Sequence, residues 1–568
     1  MAGQEAWEST YDYMSVFNTA MPSNDVVNPY LGTGTPTIGY GFGSSAMASF
    51  YTRETYNYDN RYIGTYTFRY DGSSNFGPNK RWAPFHSLAF AWRFTNEPFF
   101  PQSVKNVLND GKLRLGWGQT GNAAIGSYKW GASMTKVATG LGIGYRQSNI
   151  PNLDIQWEKQ EQLNIGLDLN FFNNRLNLVA EWYQKTSNDM LMPLQMPTYM
   201  GTSGNGSSAL AAPWGNYGKI SNSGFEFTLT AHPVESKNFH WMTEGQISFN
   251  RNKLKALAGT ASAAIVGYGQ WNDIVSVSNV GESLYSFYGY VTDGIYQSIE
   301  EVMAGPVQGD NMPHTVDEDG IWHASQDPSA YNQYNTTWVG DIRYKDLNGD
   351  GRITEADRTN IGSPMPKFTF GWTNTFTYKN WDLSIFINGS YGNKVLNYLN
   401  MRIGNMKSAW ANQPASVLER SKLAVIDADK TYPVYYTDED GNVTGTIWNW
   451  YEDPTNVVVS NSGSKIPRAT TGDPNDNDRL SDRYIEDGSY LRVKNITLGY
   501  TFPKEWLQKV HIENLRAQIN IQNLLTFTKY SGYDPEIGAS TASVNVMGLD
   551  NGRYPSPTVY SFGVNVTF

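Results

Sequence analysis

Residues 346–357 read DLNGDGRITEAD, and the oxygens in that run are spaced to surround a hard cation. Asp346, Asn348 and Asp350 put side-chain oxygens at positions one, three and five of a calcium-type loop, and Gly351 stands at position six, where the chain must turn sharply. Arg352 offers its backbone carbonyl at position seven, Thr354 falls at nine and Asp357 at twelve. The spacing predicts one calcium ion, held modestly, because Asp at position twelve is shorter than the bidentate Glu of helical sensors. The flanks are not helical: TTWVGDIRYK is aromatic and β-branched, and RTNIGSPMP carries two prolines. The loop therefore stands outside an EF-hand, and a solvated acidic turn is the alternative reading.

The six histidines form no HExxH, and no G-x-S-x-G, P-loop or G-x-G-x-x-G occurs, so the chain is not read as an enzyme. HTVDEDGIWH (314–323) has the residue types of a metal site without ordered spacing and reads as a solvated loop. TDEDGNVTG (437–445) reads as a turn. In GTIWNWYEDP, Trp448 and Trp450 stand one residue apart beside Tyr451 and Glu452. Such rings stack on sugars, with carboxylates taking hydroxyls, or they simply hold a long loop together.

The body that carries these residues is β-structure. Aromatics make up 14% of the chain, with 37 Tyr and 18 Trp, while charged residues are only 17%, which favours strands at an apolar–polar boundary. The net charge of −10, with no cluster of Lys or Arg, argues against nucleic acid. No cysteine is present, which removes disulfides, thiolate metal sites and Cys nucleophiles. No apolar run is long enough for a spanning helix. MAGQEAWESTYDY has neither the basic start nor the apolar core of a signal peptide, so an exported protein would have its start outside this chain.

Period two dominates. In VYSFGVNVTF, Tyr560, Phe562, Val564, Val566 and Phe568 share one face against Ser561, Gly563, Asn565 and Thr567. QLNIGLDLNFFNNRLNLVAEWYQK predicts a hairpin: Leu163, Ile165, Leu167 and Leu169, a tight turn at FNNR, then Leu176, Leu178, Ala180 and Trp182. KFTFGWTNTFTYKNWDLSIFING predicts a second. In SYLRVKNITLGYTF the phase slips between Val493 and Ile496, which predicts a β-bulge near Lys494–Asn495.

Thirteen strands follow from this pattern, the first over 46–57 and the last over 557–568, with residues 1–45 read as a loop segment. Short connections alternate with long ones at 71–84, 120–157, 188–222, 252–365, 393–488 and 526–556. Short turns at one end and long loops at the other are the asymmetry of an outer-membrane β-barrel, whereas a soluble sandwich has no reason for it. Strand parity puts residues 1–45 and the 252–365 connection outside the cell. Extracellular calcium modules bind at about 10⁻⁴ to 10⁻³ M. An ion there is expected to be structural, folding a long loop with no hydrophobic core beneath it.

The blocks RYDGSSNFGPNKRWAPFHSLAFAWRFTNEPFF, KLRLGWGQTGN, IQWEKQEQLNIGLDLNFFNNRLN, GDIRYKDLNGDGRITEADRTNIGSPMPKFTFGW and RYIEDGSYLRVKNITLGYTFP, running on to YSGYDPEIG, resemble SusC-like TonB-dependent outer-membrane transporters. The resemblance implies an all-β, transmembrane antiparallel barrel of 22 strands around an N-terminal plug. It also implies a TonB-contacting N-terminal segment, a SusD-like surface lipoprotein over the mouth, and uptake of a glycan or, in some members, a peptide. Residues 46–568 match its C-terminal barrel portion, so the plug, the TonB contact and about nine strands are expected elsewhere. A barrel with adhesive or structural loops and no transport is the second reading.

Overall fold

The computed structural model describes residues 1–25, 28–194, 210–257, 264–408, 410–430, 432–449, 453–508, 511–538 and 545–568. Two compact units divide the chain. Among the described residues the long antiparallel strands number fourteen, ten in the first unit and four in the second. Among the described residues no helix is long and apolar enough to cross a membrane.

The first unit takes Met1–Ala264, Asn279–Glu282 and Phe370–Asp382. Its strands pair in chain order, short turns such as 59–61 and 172–175 alternating with long connections such as 123–157. The FNNR turn forms as read, with Phe172, Asn173 and Asn174 all at positive φ. It joins Glu158–Phe171 to Leu176–Pro193, where Ile165 faces Trp182 and Leu169 faces Leu178. One side of this surface is largely apolar: Leu163, Ile165, Phe225, Phe227 and Leu229 are exposed on it. The opposite side is polar, with Arg114 bridging Asp168 at 2.9 Å and Glu181 at 3.0 Å.

Residues 1–45 depart from their reading as loop. Ala2–Phe17 is a strand, paired along its whole length with Thr37–Tyr58, so the count becomes fourteen rather than thirteen. The alternation is present in the sequence, since Trp7, Tyr11, Tyr13 and Phe17 share a face against Glu8 and Asp12. Ser9 and Ser15 dilute that row, and the facing strand holds three alternating glycines, poor strand formers on their own. Pairing repairs the deficit: the Tyr11 ring lies over Gly43, and a Cβ there would meet it at 2.4 Å.

The second unit takes Ile265–Ser278, Ser283–Thr369 and Leu383–Phe568. Tyr490–Thr501, Asn514–Thr528 and Val559–Thr567 form its sheet edge, with Phe562 opposite Ile519 and Val564 opposite Ala517. The register of Tyr490–Thr501 shifts between Val493 and Asn495, at the predicted bulge, but the extra residue lies on the partner strand Asn514–Thr528. It keeps Leu491 and Val493 on the same side as Ile496 and Leu498, while Arg492 turns the other way. Arg492 is buried there, donating to Asp534 Oδ1 at 2.5 Å, Glu536 Oε2 at 2.7 Å and Thr526 Oγ1 at 2.8 Å.

The long connections of this unit are packed, which corrects the expectation of a loop without a core. Tyr296, Ile299, Trp338, Ile342 and Tyr344 are buried together, and Ile353, from the calcium-type loop itself, belongs to the same cluster. Its strands are only three or four residues long, for example Ile342–Tyr344, too short for periodicity to reveal. A second layer of buried polar groups ties distant segments together. Gln308 donates to Asn475 Oδ1 at 2.8 Å, and Thr337 donates to the same oxygen at 2.8 Å. Asn477 bridges Asp341 at 3.0 Å and Asp473 at 2.7 Å. Every one of these groups is removed from water, so each hydrogen bond avoids a desolvation cost of about 1–3 kcal/mol.

Candidate functional site

Asp346, Asn348, Asp350, Arg352, Thr354 and Asp357 fold into one tight turn. Both oxygens of Asp346 accept loop N–H groups, from Gly349 at 2.7 Å and Gly351 at 2.8 Å. Asp350 Oδ1 accepts from the Arg352 N–H at 2.9 Å, and Asn348 Oδ1 from the Asp350 N–H at 3.1 Å. Asp357 is fully buried, closing the loop by accepting from Leu347 at 2.8 Å and from Thr354 at 2.7 Å. Gly351 has φ +78°, and a Cβ on it would lie 2.0 Å from the Trp322 carbonyl, so position six requires glycine twice over.

Each carboxylate oxygen that takes one N–H keeps a second lone pair. Those lone pairs are the ones a calcium loop would use, although Asp350 Oδ2 already accepts from the Asn348 amide at 2.9 Å. Among the described residues no three His, Asp or Glu side chains gather as a metal-holding group, so such a site would depend on its mixed amide, hydroxyl and carbonyl oxygens as much as on its carboxylates.

HTVDEDGIWH folds as a hairpin of His314–Val316 and Trp322–Ala324, with His323 bonded to Asp317 at 2.8 Å. It braces the acidic loop, for Trp322 N–H donates to the Asp350 carbonyl at 2.9 Å. The Arg352 guanidinium lies 4.5 Å from the Trp322 ring centroid. Trp448 lies in the strand Val443–Asn449, with its backbone opposite Pro433. Its side chain and the whole of Trp450 lie outside the described residues.

The far side of the acidic loop walls a cleft of about 620 Å³. Arg352, Thr354, Glu355 and Arg358 line it from the loop, and Tyr290 and Arg402 from elsewhere. Arg358 meets Glu355 at 2.7 Å, and Arg352 meets Asp310 at 3.6 Å. Arg402 pairs with Asp273 while its guanidinium stacks on Trp271 and Tyr398, at 4.4 and 5.0 Å from the ring centroids. Burial, together with the charge of Glu355, pushes the Tyr290 hydroxyl up to about 12, so it stays a donor and bonds Glu355 at 3.2 Å. Partial burial works against the Glu355 carboxylate, but Arg358 outweighs it and holds the group below its ordinary range. Sequence reading missed this cleft because its charges come from five separated stretches with no local spacing.

Fold and site together define the class: a membrane-spanning antiparallel β-barrel with folded, polar extramembrane loops. Residues 2–524 match the family described as TonB dependent receptor-like, beta-barrel, and the chain belongs to that family of outer-membrane proteins. It is 31% identical over 533 residues to TonB-dependent receptor P3 of Formosa agariphila, covering 92% of this chain and 45% of that protein. Against TonB-dependent receptor SusC of Bacteroides thetaiotaomicron it is 27% identical over 541 residues, covering 92% and 44%. The solved structure of the RagAB peptide transporter superposes with a TM-score of 0.71 at 23% identity, over 100% of this chain and 53% of that one. The chain thus spans about half the length of the curated relatives it matches.

Proposed function

We propose that this chain serves TonB-dependent import of an oligomeric nutrient, a glycan, across the outer membrane. A SusD-like lipoprotein closes the mouth and the TonB complex supplies energy. The observation that carries the reading is the family match combined with a loop layer that is not slack. It has its own core, a buried polar network and a polar cleft, which is how a surface that holds a ligand in fixed geometry is built. Loops that served only as a flexible coat would need none of these.

The loop at 346–357 takes a structural calcium ion through Asp346, Asn348, Asp350, the Arg352 carbonyl, Thr354 and Asp357. The ion stiffens the wall that carries Arg352, Glu355 and Arg358. Trp448 and Trp450 add aromatic faces for sugar rings.

Deleting the gene should abolish growth on one polymeric nutrient and spare growth on its monomer. Restoring the gene should rescue growth, except in a strain lacking TonB. Mild detergent extraction of the native protein should bring down the lipoprotein. Unchanged growth on every polymer, with the protein purifying alone, would overturn the reading.

A further inference from the structure

The cleft beside the acidic loop has a feature that sets what it can hold. Besides the three pairs already described, Lys407 meets Asp478 at 2.7 Å and Arg479 meets Asp476 at 3.7 Å. Every ionised group that lines the cleft is therefore paired with another group lining the same cleft, five cations with five carboxylates. The net charge of the lining is zero, although its density of charge is high.

We propose that this cleft is a binding subsite for uncharged saccharide, selecting neutral glycans against uronate-bearing or sulfated ones; the inference rests on the glycan-import reading above. A charged ligand would only exchange one ion pair for another and would give up its own hydration in doing so, with no net gain in charge compensation. A hydroxyl makes no such demand. It donates and accepts at one atom, so it can bridge a carboxylate and a guanidinium without separating them. Arg carries five N–H donors and a carboxylate about four acceptor sites, so each pair keeps capacity after its internal bond is made. Free peptides are a poorer match because their termini carry full charges.

The asymmetry of the pairs gives a direct handle. The Asp310 and Asp476 side chains are 97% and 62% exposed, while their partners Arg352 and Arg479 are 35% and 15% exposed. Removing the two acids leaves the cations in place and the lining at a net charge of about +2.

The test measures binding of the purified full-length protein in detergent. The probes are malto-, cello-, xylo- and mannohexaose, hexagalacturonate, a sulfated hexasaccharide and unblocked hexapeptides. The expected result is binding confined to one or more neutral hexaoses. In Asp310→Asn with Asp476→Asn, hexagalacturonate affinity should rise at least tenfold. The double variant Lys407→Gln with Asp478→Asn removes a whole pair and keeps the lining neutral, so whatever it costs in affinity, hexagalacturonate should gain nothing over the neutral hexaoses. Equal or tighter binding of hexagalacturonate or peptide by the unaltered protein overturns the inference, as does failure to bind any neutral hexaose. Saccharide binding without nutrient uptake in cells would instead sink the transport reading and leave this one standing.

Discussion

Arg468 closes a two-point ion pair on Asp341, with Nε to Oδ1 at 2.8 Å and Nη2 to Oδ2 at 3.1 Å, between residues 127 positions apart. Both side chains are almost wholly removed from water. Arg468 also donates to the Gln333 carbonyl at 3.0 Å, so one guanidinium ties together two long connections of the second unit. Arg468→Ala strands the Asp341 charge in a low-dielectric interior and is expected to cost about 3–5 kcal/mol of that layer's stability. Hydrogen exchange should quicken across 333–342 and 473–477 while the strand amides keep their protection. Unchanged exchange in those loops would refute the assignment.

Asp473 lies in the same buried layer, and its burial, with Asp341 and Asp478 nearby, pushes its carboxyl up to about 6. The folded state therefore holds a proton that the unfolded state, titrating near 3.8, has already lost. Stability of the loop layer should fall as pH rises from about 4 to about 6 and level off above, by proton linkage. Asp473→Asn should flatten that slope in melts of the loop layer followed across the window. A slope that survives the substitution assigns the titration elsewhere.

Asp534 titrates in the opposite sense. Burial opposes its charge, but the Glu536 backbone N–H, Arg492 and Ser556 outweigh burial and hold it at about 2. A depressed carboxyl contributes stability above its unfolded value, which is lost as pH falls from about 4 through about 2. Arg492→Gln should move that acid loss to higher pH and release residues 530–538 to protease. Identical acid titrations of the two proteins would count against the pairing.

Membrane orientation is tested at neighbouring residues of the last strand. Val564 lies 66% exposed on the apolar side, and Val564→Arg near mid-bilayer should cost about 2–4 kcal/mol. Asn565, whose side chain alternates to the Arg516 side, should accept arginine at far smaller cost. Equal losses in a folding titration would reverse the assignment of faces.

Chelation tests the ion. EGTA should expose the 346–357 turn to protease and leave a heat-modifiable barrel on gels. Asp350→Asn with Asp357→Asn should do so without chelator. No change in cleavage with or without calcium would show that the loop's own N–H donors suffice.

Much of the frame was legible because strands declare themselves at period two over long runs. The FNNR turn, the paired rows at Leu163 and Leu176 and the slip after Val493 were all visible. Ala2–Phe17 escaped because Ser9 and Ser15 interrupt its row and its partner is glycine-rich. The loop layer escaped for a different reason: its strands are short, and its order comes from contacts such as Gln308 with Asn475, between residues 167 apart. The turn at 346–357 was legible because its Asp, Asn and Gly spacing is local. The cleft beside it was not, since Asp273, Asp310, Glu355, Arg402 and Arg479 have nothing in common until the chain has folded.

The bulge between Val493 and Asn495 has an implication for how a protein of this kind can change length. Elsewhere in a spanning strand, inserting or deleting one residue swaps every following side chain between bilayer and interior, so lengths can drift only in twos. At the bulge the extra residue lies on the partner strand, which steps three residues from Leu525 to Gln522 while this one steps two from Val493 to Asn495, with Asn523 at positive φ. Nothing is spare on the shorter side, so deleting Lys494 would turn Leu491 and Val493 inward and send Arg492 into lipid, severed from Asp534. This position is thus a place where a one-codon deletion, harmless in most surface loops, would act as a frame error within the folded chain.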